Sequence, residues 1–223
     1  MKKLILPLLL LVAIGMLAAV ESDPSNIVGY FKKTINTNSW QAVALPFAYP
    51  DLGIIPVMGQ QFDGGDIMID LNSGSSADYF DDYGFYGGLE NLEYGVGYRI
   101  FRDSANPQTD YYFLGEVDPQ DHSLVIQGNG AWTAFGLNEA TNINFDGADD
   151  LFGTNETDES LVIELDTGYA SDYFTGYGWY GGIANIQPTF GYRYKSVAGD
   201  ANFTWNYSSP NGSAKKTSLR SSK

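Results

Sequence analysis

Residues 66–99 lie over residues 160–193 without a gap, at an offset of 94, and fifteen of the 34 positions are identical. The segment ADYFDDYGFYGG, Ala77 to Gly88, returns as SDYFTGYGWYGG, Ser171 to Gly182. Small gaps carry the match outward: Trp40 aligns with Trp132, the Met58-Gly59 turn with Phe152-Gly153, and Phe113 falls near the register of Phe203. A tandem duplication constrains the fold, because each copy must be one supersecondary unit that buries its own apolar face or shares it with its neighbour.

Within each copy the pattern is that of short strands and turns. Ile67–Leu71 and Leu161–Leu165 are brief apolar-rich runs bounded by Gly and Asp or Asn, as strands are. Asn72-Ser73-Gly74 and Asp166-Thr167-Gly168 fit the turns that follow. Gly97–Phe101 and Gly191–Lys195 supply aromatic-rich strands, and Tyr111–Val117 and Asn202–Tyr207 close the copies. Outside the N-terminal run no ten-residue window carries a 3.6 period, although 146–154 has room for one helical turn. The expected fold is all-β: two tandem homologous modules, sandwich-like or barrel-like, spanning 23–117 and 118–207.

The flanks read differently. Lys2 and Lys3 precede an apolar run from Leu4 to Val20, and Ala18-Ala19 stand just before Glu21-Ser22-Asp23. This is the layout of a cleaved signal peptide over 1–22. The run is close to the minimum for a membrane anchor, but Pro7, Gly15 and its small-residue end favour cleavage. The tail, 208–223, is Ser-rich and basic and is expected to be disordered.

Composition narrows the function. The chain has 27 acidic and 12 basic residues, net −15. Without the two N-terminal lysines and the four basic residues of the tail, the body holds 27 acidic against six basic residues, net −21. Such a body repels nucleic acid and anionic lipid, so neither nucleic acid nor, after signal cleavage, membrane is an expected partner. The absence of cysteine excludes disulfides, thiolate metal sites and a cysteine nucleophile. A single histidine, His122, excludes multi-histidine metal motifs, and a catalytic triad would need a nucleophile that no motif supplies.

The order of a VGY segment (Val28–Tyr30), a Trp-containing strand, Asp/Gly turns, GVGYR (Gly95–Arg99) or FGYRY (Phe190–Tyr194), and a closing GEV (Gly115–Val117) resembles uncharacterised secreted bacterial proteins with tandem β repeats. The resemblance implies export and modular β structure, with no enzymatic activity attached. It carries over no functional residues.

The strongest recurrent chemistry is aromatic. Tyr79, Tyr83, Phe85 and Tyr86 match Tyr173, Tyr177, Trp179 and Tyr180, and Asp78 matches Asp172. These ten residues form the candidate binding set: aromatic rings stack on sugars or fill an interface, and a carboxylate accepts hydrogen bonds beside them. Alternation puts Tyr83 and Phe85 on one face and Tyr86 on the other. Core filling is the competing reading of all these rings. Acidic loops, Asp63–Asp66, Asp78–Asp82 and 146–150, leave calcium open as a cofactor, though none has EF-hand spacing and only Asp78/Asp172 recurs. No catalytic residue and no metal-ligand set is assigned. Paired carboxylates admit a glycosidase in principle, but two near-equal copies of one catalytic site are rare. Asn155, Asn202, Asn206 and Asn211 head Asn-x-Ser/Thr triplets, weak evidence for glycosylation in a bacterial-looking chain.

The leading expectation is a secreted or cell-surface, non-enzymatic structural protein that self-assembles into filaments through strand edges and aromatic surfaces. The edges in question are Ile27–Phe31 and Asn202–Tyr207, which in sequence lack a neighbouring unit. The alternative is a lectin-like protein that binds extracellular polysaccharide, and the third is a secreted hydrolase. Trp40 and Trp132 are expected in matching core positions.

Overall fold

The computed structural model describes residues 28–59, 61–118, 122–128, 130–145, 152 and 156–195, with the backbone alone at 122 and 203–207. The expected signal peptide over 1–22, the expected disordered tail over 208–223 and the acidic run 146–150 lie outside the described residues.

The chain is predominantly β, with antiparallel sheets throughout. The strands are β1 (Val28–Ile35), β2 (Ser39–Val43), β3 (Ile67–Asp70), β4 (Ser76–Phe80), β5 (Gly84–Gly87), β6 (Tyr98–Arg102), β7 (Thr109–Glu116) and β8 (His122–Ile126). They continue with β9 (Trp132–Phe135), β10 (Ile143–Asn144), β11 (Leu161–Glu164), β12 (Ala170–Phe174), β13 (Gly178–Gly181), β14 (Asn185–Ile186), β15 (Tyr192–Lys195) and β16 (Phe203–Tyr207). One sheet runs β2-β6-β3-β4-β5 and a second β9-β15-β11-β12-β13. The strands that occupy the same place in the two orders are those matched by the 94-residue offset, with β9 standing where β2 stands. Two ribbons, β1-β7 and β8-β16, join early strands to late ones, and β10 pairs with β14.

Local chemistry explains the hairpins. At the β3–β4 turn the Asp70 carboxylate accepts hydrogen bonds from the Asn72 and Ser73 backbone N–H groups, an Asx turn. Gly74 and Gly168 close the two equivalent turns with φ of +74° and +73°, a conformation glycine adopts without steric cost. At Gly87 a Cβ would lie 2.2 Å from the Ser76 carbonyl oxygen, and at Gly181 2.3 Å from that of Ala170. Only glycine lets β5 and β13 approach β4 and β12 so closely.

Each sheet covers its own apolar cluster. The first is drawn from Ile35, Val43, Phe47, Phe62, Met68, Ile100, Tyr111, Phe113 and their neighbours. The second runs from Leu124 through Phe135, Phe145, Phe152 and Trp179 to Tyr194. Burying these rings and branched chains is the main favourable contribution to folding.

Three sequence expectations are corrected. Val28–Phe31 does not lack a partner: all eight residues of β1 pair with β7 in a two-stranded ribbon, Val28 opposite Glu116 through Ile35 opposite Thr109. Phe203–Tyr207 likewise pairs with β8. In each two-stranded ribbon the backbone N–H and C=O groups that face the partner strand are paired inside the chain. Trp40 and Trp132 do occupy matching positions, but outside the core, 37% and 38% exposed. The helical turn α1 (Ile54–Met58) was not anticipated; Pro56 sits in its first turn, where the missing N–H breaks no bond.

Candidate functional site

The registers bring one residue from each strand of the first sheet into a single cross-strand row. Trp40 stands opposite Phe101, Phe101 opposite Ile67, Ile67 opposite Asp78 and Asp78 opposite Tyr86. The second sheet repeats it: Trp132 opposite Lys195, Lys195 opposite Leu161, Leu161 opposite Asp172 and Asp172 opposite Tyr180. At about 4.8 Å between strands each row is about 19 Å long. Both rows face outward, whereas the neighbouring row of each sheet (Gln41, Ile100, Met68, Ala77 and Thr133, Tyr194, Val162, Ser171) is buried.

Tyr86 is 77% exposed and Tyr180 47%. Asp78 and Asp172 lie open beside them. Phe80 and Phe174, two positions along from the aspartates, add two half-exposed rings to the same faces. Trp40 and Phe101 are in ring contact, with centroids 5.1 Å apart. Each sheet thus shows a flat strip with a Trp at one end, a Tyr at the other and a carboxylate one strand in from the Tyr.

The ten candidate residues divide by strand alternation. Asp78, Tyr86, Asp172 and Tyr180 belong to the outward rows, and Tyr83 and Tyr177 are exposed in the turns between strands. Tyr79, Phe85, Tyr173 and Trp179 point to the core, which corrects their assignment as binding residues. Phe85 packs edge-on against Phe62 at 4.7 Å and against Tyr79 at 5.1 Å. Trp179 is fully buried, and its indole N–H donates to Glu156 at 2.7 Å. Period-two alternation requires this split: Tyr79 lies between the outward Asp78 and Phe80. The correction extends to Tyr83 and Phe85, expected on one face; Tyr83 lies in the turn and only Phe85 faces in. Sequence reading saw Phe80 recur at Phe174 and Trp40 at Trp132 but placed none of them in the binding set, and it missed Phe101, which no recurrence marks.

In the acidic loop at 63–66 the carboxylates meet a guanidinium. Asp66 is fully buried and accepts hydrogen bonds from Arg102 Nη1 (2.5 Å), the Asp63 and Asp103 backbone N–H groups (3.0 and 2.9 Å), Asn106 Nδ2 (3.0 Å) and the Tyr111 hydroxyl (3.3 Å). Asp63 takes the other arm of the Arg102 guanidinium. Burial works against that charge, but the hydrogen bonds and charges of the two aspartates outweigh it and raise the Arg102 pKa. Burial, with Asp66 alongside, pushes the Tyr111 phenol up. The cation at this loop is therefore Arg102. Among the described residues no group of three or more His, Asp or Glu side chains is placed to hold a metal ion.

The fold and these faces define the protein as an all-β chain of antiparallel sheets with exposed aromatic strips. No protein-family model, no curated protein and no solved structure matches it.

Proposed function

We propose that the chain is an exported, non-enzymatic structural protein of the cell surface, built of two tandem homologous β modules over 23–117 and 118–207. Its outward strips are its contact surfaces, and copies associate face to face through them. The observation that carries this reading is the row repeated on both sheets, with a Trp at one end and an apolar residue, an Asp and a Tyr on its last three strands; Lys195 stands in the second row where Phe101 stands in the first. Tyr and Trp are the residues enriched where proteins meet, and two similar faces on one chain gain by avidity. β1 and β16 each have a partner strand within the chain, and the repeated rows lie on the sheet faces, so this reading places the contact on the faces. Export rests on residues 1–22, and N-terminal sequencing of the mature protein should begin close to Glu21.

A second reading, binding of neutral extracellular polysaccharide, is favoured by the same strips together with the charge. Stacked rings beside a carboxylate suit sugar rings and hydroxyls, and an uncharged chain does not meet the repulsion that net −15 imposes between copies.

Sedimentation of the mature protein over a concentration series at low and high salt tests the first reading. Self-association that strengthens with salt and disappears in Trp40→Ala/Trp132→Ala supports it. Retardation of a persistently monomeric protein in gels containing neutral polysaccharide moves the assignment to the second. A monomer with no retardation refutes both.

A further inference from the structure

The registers make Ala42, Val43 and Ala44 the counterparts of Ala134, Phe135 and Gly136, because Ala42 pairs with Arg99 as Ala134 pairs with Arg193. The counterpart of Asn72 is Asp166. One set of contacts between the two sheets follows these equivalences in both directions, beside others that run one way, such as the Gly136 N–H donating to the Gly95 carbonyl at 3.1 Å. Asn72 of the first grips Ala134 of the second: its Nδ2 donates to the Ala134 carbonyl (2.8 Å) and its Oδ1 accepts from the Ala134 N–H (2.7 Å). In return Asp166 Oδ1 accepts from the Ala42 N–H at 2.6 Å. A carboxylate has no N–H for the Ala42 carbonyl, and Lys33 supplies it. The Lys33 ammonium donates to that carbonyl and pairs with Asp166 Oδ2 at 2.7 Å. Lys33 and Asp166 together thus make the two-sided grip that the Asn72 amide makes alone.

The glycines repeat the exchange. A Cβ on Gly97 would lie 3.0 Å from the Phe135 nitrogen, and one on the equivalent Gly191 2.7 Å from the Ala42 Cβ. At the centre, a Cβ on Gly136 would fall 2.0 Å from the Cβ of Ala44. Ala44 and Gly136 are each other's counterparts, and a residue that touches its own equivalent marks a two-fold axis.

We infer that each unit carries a self-complementary docking face, centred on Ala44 in one and Gly136 in the other, whose partner is a second unit of the same kind, and that the chain has made this face selective for the unlike unit. The inference rests on the two-module reading above. Two units of the Ala44 type would drive their methyl groups together on the axis. Two of the Gly136 type would hold the Asp166 carboxylate at the junction without its ammonium, since β8, which stands where β1 stands, contains no lysine. Penalties on both like pairings specify the unlike one.

The test moves one methyl group across the axis in the full mature chain. Gly136→Ala should open the junction: far-ultraviolet circular dichroism keeps its β signal while the X-ray scattering radius grows and the thermal midpoint falls. Adding Ala44→Gly should restore the compact radius and at least half of the lost midpoint; the Phe190 carbonyl, 2.9 Å from the new methyl, limits the recovery. Independently, Lys33→Met should be damaging alone and tolerated with Asp166→Asn, whose amide copies Asn72. An unchanged radius in Gly136→Ala, or a double variant as expanded as the single, overturns the docking inference and leaves the two-module reading standing. Loss of the whole β signal in one transition overturns that reading, and the inference with it.

Discussion

At the scale of single residues, the sharpest difference between the two copies lies where an ion network in one is replaced in the other. Asp66 and Ser160 share the turn geometry: each N–H donates back three residues, at 3.0 and 2.9 Å, to Asp63 and Thr157. Only Asp66 brings a charge into the core. Arg102→Met should therefore strand a buried carboxylate and cost about 3–5 kcal/mol, measured by urea unfolding. Glu164 offers a second check. Burial pushes its carboxyl above the ordinary glutamate value, against a lowering hydrogen bond from Thr167. The folded state then holds this proton to higher pH than the unfolded one. Stability falls as pH rises from the ordinary glutamate value through the raised one, and the deficit is complete above it. Glu164→Gln should remove that part of the pH dependence, read as the difference between the two stability profiles between pH 4 and 7.

At the scale of elements, alternation decides which aromatic residues hold the fold and which are free to bind. Trp179→Phe takes the indole N–H from Glu156 inside the second core and should cost about 1–3 kcal/mol. Tyr86→Ala with Tyr180→Ala, on the outward rows, should stay within about 0.5 kcal/mol per site and yet weaken association, as calorimetry and sedimentation on one sample would register. The hairpins and their glycine turns were legible in the sequence because Asp, Asn and Gly carry their geometry locally. The outward row was half legible: Asp78 and Tyr86 could be read from recurrence. Trp40 recurs as Trp132, but that it stands in one row with Phe101 could not be read, because the register between β2 and β6 follows from packing far away in the chain. Trp40 and Trp132 were misplaced for a related reason. A large ring is usually buried, and nothing local distinguishes one that stacks on Phe101 at the surface. The pairing of β1 with β7 was invisible because a period-two pattern identifies a strand without naming its partner.

At the scale of the whole molecule, the net charge of −15 sets the response to salt. Self-repulsion is screened within about 10 Å at 0.1 M, so the thermal midpoint should rise between low and moderate ionic strength before any association begins. A flat midpoint over that range would show that the carboxylates are compensated locally, as Asp66 is. The ribbons bear on how the chain reaches this state. Val28 lies opposite Glu116, and His122 opposite Tyr207, so the first strand of each half meets its mate only after nearly ninety further residues have been made. Such distant closures are slow. A chain emerging from the ribosome cannot finish the first half before Glu116 or the second before Tyr207, so each half stays threadable through a narrow pore until its own last strand has been made. Delay of this kind would suit the export proposed above, in which the chain crosses a membrane before it folds.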